Sequence, residues 1–170
     1  MSYLEIVCRV TLGVTFLAAA VGKARDRSAF QAFTDSLRMF ERLPARLRPA
    51  AGVATIAVEL SIVALLVWRT TVPAGLVLAA VTLVVFTAAM ASVERRGGHA
   101  TCRCFGGSDE WGRSQVVRNL LLTVLALLGL PALALAPVAA PLAAAALTAV
   151  IAATATLALL HVKDIAYVFR

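Results

Sequence analysis

Cys102 and Cys104, one residue apart in His99-Ala100-Thr101-Cys102-Arg103-Cys104-Phe105-Gly106-Gly107, are the residues of this sequence whose type and spacing best suit chemistry. A Cys-x-Cys pair can close into a small, strained disulfide ring. Strain raises the reduction potential, which suits a bond that is made and broken rather than a structural staple. Arg103, with Arg95, Arg96 and Arg113 nearby, supplies positive charge that favours thiolate, the form that attacks disulfides. The start of the following helix would act in the same direction, and Gly106 and Gly107 allow the backbone to turn tightly beside the pair. Two other readings stay open. The pair could hold a metal with His99 as third ligand, although no clear fourth ligand is present, or it could be two reduced structural cysteines. Cys8, the third cysteine, sits in an apolar stretch and reads as a small core residue.

Ionisable residues inside apolar stretches are the second source of chemistry. Glu59 lies near the middle of the second stretch, where an unpaired carboxylate is costly. It is expected to be protonated, paired with Arg9, or facing a polar cavity. As a proton carrier it would serve dithiol oxidation, which releases two protons; a helix-packing ion pair is the alternative. Glu5 and Arg9, one helical turn apart, can pair locally. Lys23, the Arg118–Asn119 pair and His161 fall at the ends of stretches, where long or polar side chains reach the interface without further function.

The elements that must position these groups are membrane helices. The chain of 170 residues is 61% hydrophobic and 15% charged, with a mean hydropathy of +0.90. An ordinary soluble core and a disordered chain are both excluded by that balance. Five apolar stretches, Leu4–Val21, Ala50–Trp68, Val72–Val93, Val116–Leu130 and Leu142–Val162, approach the length needed to cross the hydrocarbon. No strand alternation is present, so the expectation is an all-α polytopic bundle of five transmembrane helices forming one integral membrane domain over residues 1–170. The first stretch lacks a basic leader and is read as a retained span. Pro131, Pro137 and Pro141 blur the boundary between the fourth and fifth. Between the first and second, Ser28 and Gln31 have capping-box spacing, and Phe30, Phe33, Leu37 and Phe40 share a helical face. An interfacial amphipathic helix is therefore expected over residues 28–41, and a Cys-x-Cys loop over residues 94–115.

The formal charge of +7 does not point to nucleic acid, because of where it lies. Placing the N-terminus outside puts all but Arg9 and Arg69 of the 16 Lys and Arg on the cytoplasmic side. The positive-inside rule thus gives N-out, C-in, in a bilayer with anionic lipid, with both long loops cytoplasmic. No phosphate-binding loop, dinucleotide fingerprint, haem-type histidine pair, hydrolase triad or thioredoxin-like Cys-x-x-Cys is found. Any redox partner must come from another chain.

These features together resemble the MauE family of methylamine-utilisation membrane proteins, within the broader DoxX-like group. The resemblance rests on Gly22-Lys23, Phe30, Phe33, Leu43-Pro44, Glu59, Cys102-Arg103-Cys104-Phe105-Gly106 and Arg118-Asn119, across residues roughly 10–130. It implies a bacterial inner-membrane protein that relays electrons to or from a thioredoxin-like partner during maturation of disulfide-containing enzymes such as methylamine dehydrogenase. The activity implied is that of a thiol–disulfide oxidoreductase, with Cys102 and Cys104 exchanging, Arg103 favouring thiolate and Glu59 handling protons. The layout is also similar to vitamin K epoxide reductase relatives, which implies a quinone as electron acceptor. In those enzymes the cysteine side is extracytoplasmic, whereas the charge count places it in the cytoplasm, and we follow the charge count. The rival class is a non-enzymatic membrane scaffold or transporter, or a metal-binding membrane protein.

Overall fold

The computed structural model describes residues 3–39, 44–95, 112–134 and 141–160. Within them the chain forms α1 (Tyr3–Ala24), α2 (Arg27–Ser36), α3 (Arg48–Val67), α4 (Val72–Glu94), α5 (Gly112–Ala134) and α6 (Leu142–Leu160), with short 3-10 turns at Leu37–Met39 and Ala45–Leu47. No strand occurs among the described residues. Four of the helices are long and apolar enough to cross a membrane, and a shorter apolar stretch, Ala143–Thr156, lies in α6. The chain is thus a multi-pass helical membrane bundle.

Composition explains the helices, since a backbone in hydrocarbon must satisfy its own hydrogen bonds. The hydroxyls follow the same rule. Thr15, Thr55, Thr82, Thr87, Thr123, Thr148 and Thr156 each donate to the carbonyl four residues earlier, at 2.7–2.9 Å. They therefore bring no unsatisfied donor into the membrane. Proline sets boundaries at the starts of α3 and α4, where Pro49 and Pro73 occupy first-turn positions that need no N–H partner. The α3–α4 turn is closed by Thr71, whose Oγ1 donates to Leu65 O at 2.7 Å and Trp68 O at 3.0 Å.

Pro131 does not end its helix, which continues to Ala134. It falls in the last turn, where a proline forfeits only the bond to the carbonyl four residues back and kinks little of the helix. The interfacial helix also differs from expectation. Its N-cap is Asp26, not Ser28: the Asp26 carboxylate accepts from Ala29 N at 2.7 Å and from Ser28 Oγ at 2.6 Å. An ionised side chain is the stronger cap, and Ser28 is recruited to hold it. The helix gives way to a 3-10 turn after Ser36, and Phe40 lies outside the described residues.

Helix α1 is the centre of the bundle. Of its span 44% is buried, against 22–33% in the other three. It packs on α3, α5 and α6, while α4 packs on α5 and α3. Leu12 and Phe16 of α1 meet Ile62 and Leu66 of α3, Leu76 and Leu83 of α4, and Ala126 of α5 in one core. Outward-facing positions are apolar, including Leu60, Val81, Val85, Leu121 and Val150, as a lipid-facing surface requires. Successive spans alternate in direction. One end of the bundle therefore collects the α1 C-terminus, α2, the α3 N-terminus, the α4 C-terminus and the α5 N-terminus. The opposite end carries the α3–α4 turn.

Candidate functional site

Four charged residues within the spans, Glu5, Arg9, Lys23 and Glu59, are turned inward and form two clusters, one towards each end. At the α3–α4 turn, Arg9 donates to Glu5 Oε1 at 3.3 Å, to Leu66 O at 3.0 Å and to Val67 O at 2.8 Å. The local Glu5–Arg9 pair foreseen from spacing is present. Arg9 also caps α3, because the last carbonyls of a helix carry partial negative charge and lack internal donors. This explains why it does not reach Glu59. Cys8 lies at this end too, a buried free thiol beside the position that a side chain at Gly129 would fill.

The second cluster lies at the α2 end. Lys23, in the last turn of α1, donates to Glu59 Oε1 at 2.6 Å and to Ala19 O at 3.2 Å. Its ammonium also stands 5.2 Å from the centroid of the Phe33 ring on α2. The side chains of Lys23 and Glu59 are 1% and 3% exposed, so the pair is fully inside. A cation over an aromatic face out of water contributes on the order of 0.5–2 kcal/mol. The remaining carboxylate oxygen, Glu59 Oε2, is buried and meets no hydrogen-bond partner among the described residues. Burying a charged oxygen in that state is costly, and it leaves lone pairs directed at no donor.

Local sequence explains the assembly. Asp26 starts α2 immediately after α1 ends, so the chain folds back across the bundle instead of carrying Lys23 out to the interface. Gly52 of α3 admits α2 closely: a Cβ there would lie 2.9 Å from Thr34 Cγ2 and 3.1 Å from Phe30 Cε2. That approach sets Phe33 over the Lys23 ammonium. At the mouth, Ser28 Oγ, Ala29 N and Arg25 Nε all bond the Asp26 carboxylate and hold its pKa down at about 2.

Three expectations are corrected here. Lys23 does not snorkel to the interface; it turns back and is buried against Glu59, because α2 covers the route outward. The partner of Glu59 is Lys23, not Arg9. Sequence signals only that a lone mid-span carboxylate needs a cation; the path of α2 after the Asp26 cap decides that the cation is Lys23. Asn119, also assigned to the interface from sequence, is buried, and its carbonyl accepts from Thr123 Oγ1 at 2.7 Å. Cys102, Arg103, Cys104 and His99 lie outside the described residues. Among the described residues no group of three or more His, Cys, Asp or Glu could hold a metal ion.

A family model described as "Methylamine utilisation protein MauE" matches residues 1–132. That range takes in α1 to α4 and most of α5, including Lys23, Phe33 and Glu59. No curated protein and no solved structure matches the chain.

Proposed function

The chain belongs to the MauE family, and we propose that it is a membrane thiol–disulfide redox protein acting through Cys102 and Cys104 on a thioredoxin-like partner. One observation carries the reading. Helix α4 ends at Glu94 and α5 begins at Gly112, at the end of the bundle that buries the Lys23–Glu59 pair, and the connecting residues contain Cys102-Arg103-Cys104.

In the reducing direction, the thiolate of one cysteine attacks the partner's disulfide and expels one partner sulfur as thiolate. The second cysteine then attacks the mixed disulfide. One S–S bond is formed and one is broken, two electrons pass to the partner, and two thiol protons follow them. Arg103 favours the attacking thiolate. Glu59 serves as proton carrier at that end, with Lys23 as its buried counter-charge. Glu5, the other carboxylate buried among the described residues, lies at the opposite end. The family's description supports a setting in methylamine utilisation, where the targets would be disulfide-containing enzymes such as methylamine dehydrogenase. The charge distribution supports a bacterial inner-membrane location with the N-terminus outside and the α2 end in the cytoplasm.

The test is trapping. In Cys102→Ser or Cys104→Ser the remaining cysteine cannot resolve a mixed disulfide, so a covalent adduct with a thioredoxin-like protein is expected from one of the two. No adduct from either variant, with unchanged maturation of disulfide-containing targets, would overturn the reading.

A further inference from the structure

A cleft of about 430 Å³ opens at the α1–α2 turn, lined by Ala24, Asp26, Arg27, Phe30, Gln31 and Ile56. Its mouth is polar and its floor apolar. The floor residues have a definite relation to the buried pair. Ile56 precedes Glu59 by one turn of α3, and Phe30 precedes Phe33 by one turn of α2, spacings that put each pair of side chains on a shared helical face. The lining residues Ile56 and Phe30 therefore stand one helical turn from a buried carboxylate whose Oε2 has no hydrogen-bond partner among the described residues. Apart from its own helix, that carboxylate is faced by Lys23 of α1, with Phe33 of α2 over the Lys23 ammonium. Asp26 and Arg27 are the charged groups at the mouth.

We propose that this cleft is the aqueous entrance to Glu59: a water molecule donates a hydrogen bond to Oε2, and the Phe30 and Phe33 rings separate that water from the interface. A buried polar atom with no partner among the described residues is what a bound water satisfies. Movement of α2 against Gly52 opens or narrows the entrance, because Phe30 and Thr34 bear on that glycine. The proposal depends on the reading of Glu59 as proton carrier only for its use; the water path itself is measured without any thiol partner.

Two measurements test it on the full-length protein in lipid nanodiscs. In a chain with Cys8, Cys102 and Cys104 replaced by Ser, Ile56→Cys is compared with Val81→Cys, at a lipid-facing position near the middle of α4. A thiol in contact with water ionises and reacts, whereas one in hydrocarbon does not. A water-soluble maleimide is thus expected to label Ile56→Cys faster by about tenfold or more. In the otherwise native chain, infrared spectroscopy follows the exchange of H2O for D2O at the Glu59 carboxylate through the shift of its stretching band, with Glu59→Gln identifying that band. Phe30→Trp, which fills the cleft, is expected to slow that exchange. Equal labelling rates, or a carboxyl exchange indifferent to Phe30→Trp, would overturn the water path while leaving thiol exchange at Cys102 and Cys104 to stand on its own test.

Discussion

Removing the ammonium at Lys23 leaves Glu59 in a state the structure makes unusually costly. Oε1 loses its 2.6 Å partner, and Oε2 has none among the described residues to begin with. Breaking a buried ion pair from one side costs about 3–5 kcal/mol, because the surviving charge stays out of water. Lys23→Met keeps most of the side-chain volume and the contact with Phe33, so the loss is electrostatic and not a cavity. At about 2–4 °C per kcal/mol for a chain of this size, the expected fall in Tm is roughly 6–20 °C. The double variant Lys23→Met, Glu59→Leu should recover most of that loss, since apolar replacement of a whole buried pair is close to neutral or stabilising. Thermal unfolding of wild type, both single variants and the double variant in one detergent gives the cycle. A coupling energy below about 0.5 kcal/mol would mean that the two side chains act independently, and would refute the buried pair as described.

Four further outcomes follow from other contacts. Gly52→Val drives a branched side chain into Thr34 and Phe30; overpacking of this kind costs about 1–3 kcal/mol, and faster proteolysis of the α1–α2 turn is the readout. Arg9→Met removes the donors to Leu66 O, Val67 O and Glu5 Oε1. Bonds to charged groups are worth about 1.5–3 kcal/mol each, so the variant should melt well below wild type, whereas Arg69→Ala, an exposed change, should not. The Asp26 pKa of about 2 lies below its ordinary value of 3.8, so the carboxylate is favoured in the folded state. Its stabilisation of α2 is fully present above pH ~4 and is lost as pH falls through ~2; carboxyl chemical shifts should titrate in that window, and Ser28→Ala should raise the midpoint. Cys8→Ala should leave any thiol exchange unchanged, because Cys8 is buried at the end of the bundle opposite the α4–α5 connection.

The helices were legible because each long apolar stretch has few ways to satisfy its backbone in hydrocarbon, and the all-α membrane bundle follows from that alone. The Glu5–Arg9 pair was legible from its spacing. Lys23 was not, because a lysine at the end of a span ordinarily reaches the interface, and only the path of α2 across the bundle closes that route. Pairing with Arg9 was one of three states expected for Glu59, yet a helix C-terminus offers carbonyls that compete for the same guanidinium. The Asp26 cap was passed over for a capping-box spacing two residues later, where the competing carboxylate binds more strongly. Pro131 left the end of α5 open in the sequence, since the effect of a proline depends on how many helical turns follow it. Of the candidate site, sequence supplied Glu59 and its need for a partner, while the partner and the covering aromatic ring required the packing of α1, α2 and α3.

The central claim, that Cys102 and Cys104 exchange as a pair, is tested most directly by their redox state during turnover. Purified protein in nanodiscs would be mixed with a reduced or an oxidised thioredoxin-like protein, quenched in acid, alkylated and read by mass spectrometry. The account predicts that Cys102 and Cys104 convert together between dithiol and disulfide, and that the thioredoxin-like protein changes by an equal number of electrons in the opposite sense. A pair that stays in one state under both conditions would contradict it.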